Sequence, residues 1–294
     1  MRPLTTLQFL FVLAVTLLLS FHAYAAIRAA RETSARFQAA AAAANIDSAI
    51  DLKKKNIAET ITFGLYEGAT EHKNDLQALH DAANAASALE WRNLRIFFYL
   101  CGGSAVLALL LGRLSIRSDV FIATLLAQSA VMLVLGVFTP MLSFINERDL
   151  PVVGHVITEA QTKSIWHSAT ALFDSGNAWV GLTIVAASMI LPTTKLVLLA
   201  LVLANRALLV DGSSPRQDSV ERKLAKLASM IGQFSFVDLF IAAVFLSIFA
   251  LRSFEGSTAR SEPGLYYFNT YCTVSLVAGI LTWRAPKPRW QPPH

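Results

Sequence analysis

The chain has 294 residues, of which 54% are hydrophobic and only 15% charged, well below the roughly 25% charged residues of soluble domains. With a mean hydropathy of +0.50, this composition excludes a disordered chain, and it makes the net charge of +5 a matter of membrane topology rather than nucleic-acid binding. Cys101 and Cys272 both sit inside apolar runs, so neither a disulfide framework nor a metal site is expected, and no cofactor.

A helix needs about 20 mostly apolar residues to cross the hydrocarbon core. The first such stretch is Leu4–Ala26. It reads as an uncleaved anchor, or as a signal peptide cut after Ala23-Tyr24-Ala25, with its small residues at the two alanines. Residues 27–93 follow as an Ala-rich, Pro-free exported segment. Ile46, Ile50, Ile57 and Ile61 mark one helical stripe there, and Leu76, Leu79, Ala83, Ala86 and Leu89 a second, which predicts an antiparallel helical hairpin. The second span is Leu94–Leu111 (residues 94–112 with its end) and the third Val120–Phe144.

The loop Ser143–Gly176 contains a candidate interfacial helix, with Ile165, Trp166, Ala169, Leu172 and Phe173 on one side. Asp174-Ser175-Gly176-Asn177 ends it and is placed to cap the fourth span, Ala178–Leu203. A fifth span covers Met230–Leu251, and a sixth Tyr266–Trp283, bracketed by Tyr266, Tyr267 and Trp283 as interfacial anchors. The expected fold is therefore all-α: a polytopic membrane protein of about six transmembrane helices, with residues 119–284 as a four-span module and 285–294 as a tail. With the N-terminus in the cytoplasm, the short inner segments carry eleven Lys and Arg and the two short outer loops four. That asymmetry places both termini inside and residues 27–93 outside.

Charged groups within spans are costly and point to function by default. Two qualify, Lys195 and Asp238. Counting from the inner ends of their spans, Lys195 lies about 15 Å and Asp238 about 12 Å above the cytoplasmic edge. Charges at matching depth on consecutive antiparallel spans can pair, which offsets much of the cost of burial. Gln128 and Ser275 fall in the same layer, with Thr193, Thr194 and Ser235 close by in sequence. Pro192 has no N–H to donate and frees the carbonyl of Ser188, which predicts a kink beside Lys195. Two readings stay open: a structural clamp between helices, or a polar pathway. There is no nucleophile elbow, phosphate loop or paired intramembrane carboxylate, so catalysis is not expected.

From about Val120 to Trp283 the chain resembles the paraquat-inducible protein A family of Gram-negative inner-membrane proteins. The matching pieces run in order. Leu135-Gly-Val-Phe-Thr-Pro140 closes the third span, Leu172-Phe-Asp-Ser-Gly176 precedes the fourth and Leu191-Pro-Thr-Thr-Lys195 lies within it. Gln233-Phe-Ser-Phe-Val-Asp-Leu-Phe240 opens the fifth and Pro263-Gly-Leu-Tyr-Tyr-Phe268 leads into the sixth. Position 234 is Phe where the family usually has tryptophan. The resemblance implies an integral inner-membrane subunit that loads or extracts lipid for a periplasmic protein with mammalian-cell-entry (MCE) domains. It also implies that Pro192, Lys195 and Asp238 belong to a polar core within the module.

Family members usually carry two copies of the module and often cysteine-rich zinc-binding segments; this chain has one copy and no such segment. A homo-oligomer or a second membrane subunit would restore two modules, and the hairpin would dock the periplasmic partner. The rival reading is a membrane sensor or assembly scaffold whose hairpin binds a partner or ligand. A proton-coupled solute carrier would use the same charge pair but leaves the resemblance unexplained.

Overall fold

The computed structural model describes residues 6–43, 68–112, 118–150, 154–208 and 257–284. The fifth predicted span, with Ser235 and Asp238, lies outside them, as does the first hairpin stripe from Ile46 to Ile61.

Two long helices come first, α1 (Thr6–Ala43) and α2 (Gly68–Leu111). They run antiparallel, because Gln8 Nε2 donates to Leu111 O at 3.3 Å while His22 Nε2 meets Asn93 O at 3.1 Å. The buried positions of α1 are Val15, Leu19, Ala23, Ala26 and Ala30. They form a narrow stripe at three- to four-residue spacing whose small side chains let the neighbouring helices approach. The other faces leave Leu10, Leu17, Phe21 and Tyr24 exposed, as lipid contact requires. At 38 and 44 residues the two helices rise about 57 and 66 Å, well beyond the roughly 30 Å of a hydrocarbon core.

Helix α3 (Asp119–Phe138) begins at Ser118, whose hydroxyl accepts the Phe121 N–H. It is apolar nearly all round and buried on several faces, from Val120 and Ile122 through Leu125, Met132 and Leu135. A helix of that kind belongs in the middle of a bundle. It packs against α1, α2 and the last helix, α7 (Pro263–Arg284). Thr139 caps its end by directing both its N–H and its hydroxyl to Leu135 O, and Pro140 stops it.

The third span is thus shorter than predicted, because Leu142–Phe144 leave the helix for a strand. Here β1 (Leu142–Leu150) pairs antiparallel with β2 (Gly154–Lys163) and β3 (Ser257–Ser261), in the order β2-β1-β3. This small sheet adds to the helical architecture that the sequence predicts. Residues 146–150 hold three charges and lack clean alternation, and the register shifts between Asn146 and Glu147, so the strand pattern is broken where it would be read.

The predicted interfacial helix is present as α4 (Ile165–Asp174), started by Ser164, whose hydroxyl accepts the His167 N–H at 3.1 Å. It ends in a Schellman motif: Asn177 N donates to Leu172 O and Gly176 N to Phe173 O, with Gly176 at φ +82°. Asn177 starts the next helix through its backbone carbonyl alone, since its side chain makes no capping bond. The fourth span runs on as α5 (Ala178–Val185), a π turn (Ala186–Ile190) and α6 (Leu191–Leu208).

Four described helices are long and apolar enough to cross a membrane: Thr6–Arg36, Ser87–Leu111, Asp119–Phe138 and Ala178–Ala204. They correspond to the first four predicted spans. Helix α7 occupies the place of the sixth. The chain is a multi-pass helical membrane protein.

Candidate functional site

Lys195 lies one turn into α6 and is only 3% exposed. Its ammonium donates to Ser275 Oγ of α7 at 3.1 Å, and the Ser275 hydroxyl in turn donates to Cys272 O at 3.1 Å. Serine has one proton and two lone pairs. Bonding back to its own helix therefore directs the hydroxyl oxygen's lone pairs to the cation. Ser275 is fully buried, so the point of α7 that meets α6 here is polar.

Pro192 is fully buried one turn before Lys195. The predicted distortion is there, as a π turn. Leu191 N–H bonds to Ala186 O, five residues back, and the widened turn accommodates a ring that would otherwise collide with the carbonyl four residues earlier.

The other predicted residues do not all converge. Gln128 of α3 is buried but turns to α2, where its Nε2 donates to Cys101 O and to Ser104 Oγ, both at 2.9 Å. Its depth says nothing about direction, and a helix face cannot be read from depth. Thr194 is exposed, with its hydroxyl bonded to Ile190 O at 2.8 Å, and does not share the pocket of Lys195. Asp238 and Ser235 lie outside the described residues. Tyr267, expected as an interfacial anchor, is instead a core residue, 1% exposed and packed edge-on against Phe97 at 5.4 Å. Tyr266 is half-exposed and meets Trp91 at 5.3 Å, as an anchor should.

A second polar group, missed in the sequence, marks the other end of the bundle. Glu90 of α2 is buried beside Thr33 of α1 and near Glu262, which receives a hydrogen bond from Ser143. Its only signal was position: an acidic residue directly before Trp91 and the second span. Among the described residues no group of three or more His, Cys, Asp or Glu is assembled.

The predicted motifs meet in space. Gly136, in the exit of α3, faces the backbone of Phe268, and Gly264 N donates to Pro140 O at 2.8 Å. Segments about 130 residues apart in sequence thus form one joint. No curated protein and no solved structure matches the chain. Residues 121–290, more than half of its length and the stretch containing this joint and Lys195, match paraquat-inducible protein A. The chain belongs to the paraquat-inducible protein A family.

Proposed function

We propose that the chain is a non-enzymatic inner-membrane subunit of an MCE-type lipid transport system. In this reading both termini are cytoplasmic and residues 27–93 periplasmic. The observation that carries it is Lys195, a cation held almost wholly out of water within a membrane span and aimed at Ser275 of α7. Such a group is expensive to retain. Set in the family's module, it suits attraction of an anionic headgroup, with Asp238 holding or exchanging its proton.

The partners are then lipids and an MCE-domain periplasmic protein, with a homo-oligomer or a second membrane subunit supplying the second module. The test is transfer of labelled phospholipid from proteoliposomes to an MCE-domain acceptor. Lys195→Ala and Asp238→Ala, each made alone, are expected to abolish transfer while leaving insertion intact. Full transfer by both variants would sink the mechanism.

A sensor or scaffold is the second reading, supported by the reach of α1 and α2 beyond any bilayer. Deleting residues 31–90 separates the two. Lost partner recruitment with intact lipid binding within the spans favours docking; preserved transport with lost regulation favours sensing.

A further inference from the structure

Where the spans end on the side of the small sheet, α1 and the family module enclose a cleft of about 200 Å³. Arg31 and Ser34 of α1 form one wall, Thr162 of β2 and Ser164 the other, and Phe138 and Trp166 line its apolar side with their rings 5.9 Å apart. Among the described residues the lining contains no acidic group. Arg28, nearly one turn earlier on α1, is already paired with Glu32 at 3.5 Å, whereas Arg31 makes no ion pair among the described residues. Phe138 is the last residue of a span and Arg31 lies near the end of another, so the cleft sits at the depth where tryptophan and arginine meet headgroups.

We propose that this cleft holds the phosphodiester of one phospholipid. Arg31 supplies the charge, the hydroxyls of Ser34 and Ser164 supply hydrogen bonds, and Phe138 and Trp166 contact the glycerol and first methylenes. The volume fits this assignment, being below the roughly 300–1,000 Å³ of clefts that enclose whole drug-sized ligands. Arg31 and Ser34 come from α1, outside the residues that match the family. The site is therefore a feature of how this chain's own N-terminal helix joins the module. It stands apart from the transport reading, since a lipid held here is bound whether or not the module moves one.

The test is native mass spectrometry of the full chain released from vesicles of phosphatidylcholine and phosphatidylglycerol, followed by titration with short-chain phosphatidylglycerol and, separately, inorganic phosphate. The wild type is expected to retain one phospholipid. Arg31→Ala should weaken short-chain lipid binding about tenfold, the effect of losing one charged hydrogen bond. Ser34→Trp should fill the cleft and remove binding, while Arg28→Ala should change nothing. Arg31 is exposed, so its variant reads out even if Ser34→Trp misfolds. Wild-type retention by Arg31→Ala would overturn the proposal. So would displacement of the lipid by inorganic phosphate at matching concentration, which would make this a free-phosphate site. Lys195→Ala is expected to keep the lipid even if it loses transfer.

Discussion

A Cβ placed on Gly136 of α3 would lie 2.8 Å from Cβ of Phe268 and 2.9 Å from its Cα and N. The two helices touch backbone to backbone at this point, and glycine is there because no side chain fits. Gly264, a turn earlier on α7, is tighter still against the carbonyls of Thr139 and Pro140. Together they lock the exit of α3 to the entry of α7, which sets the height at which Ser275 meets Lys195.

Gly136→Ala is therefore expected to destabilise the protein by about 1–3 kcal/mol, the usual cost of overpacking a fitted contact. Gly102 and Gly103 of α2 have no neighbouring atom within 4 Å, so alanine there should be neutral or stabilising by up to about 1 kcal/mol through helix propensity. Thermal unfolding in detergent checks the contrast. Equal effects at Gly136 and Gly102 would refute the backbone contact.

Ser275→Ala removes the hydroxyl that receives Lys195 and should cost about 1–3 kcal/mol, because one bond to a charged group is lost while Lys195 stays buried. Lys195→Met, similar in length and uncharged, leaves the Ser275 hydroxyl bonded to Cys272 O, so as far as this contact decides, it should cost less. The order of the two unfolding midpoints is the readout. A more damaging Lys195→Met would mean the cation itself holds the helices together.

Gln128→Leu should weaken the packing of α3 on α2 by about 0.6–1.7 kcal/mol, the range for polar contacts between membrane helices. Ser104→Ala should cost less, because Cys101 O remains as acceptor. In a double-mutant cycle the two substitutions should couple. Strict additivity would show that the Gln128–Ser104 bond contributes nothing.

The choice between anchor and signal peptide has a direct measurement. Leu19 is 1% exposed and Val15 is buried in the same cluster as Phe97 and Leu135, contacts that cleavage after Ala25 would delete. Peptide mapping of the mature protein is expected to recover the segment containing Val15 and Leu19. A mature chain beginning at Ala26 would overturn the anchor reading.

Composition and periodicity were enough for the membrane class, the first four spans, the helix between the third and fourth of them and a distortion at Pro192, because each follows from local chemistry: apolar length, helical spacing, a missing N–H. Depth along a helix was equally legible, so Lys195 and Ser275 could be placed in one layer before their contact was seen. Direction was not. Gln128 turned to α2, Thr194 faced outward and Tyr267 went into the core, because which face of an apolar helix is covered depends on its neighbours.

Only the tertiary structure joined the exit of α3 to the entry of α7 across about 130 residues of sequence, drew β1, β2 and β3 into a sheet, and buried Glu90 near Glu262. It also decided that α1 closes a cleft with the module. A strand pairs, a glycine admits a backbone and a cleft forms through contacts between distant segments, and those contacts have no local signature in the chain.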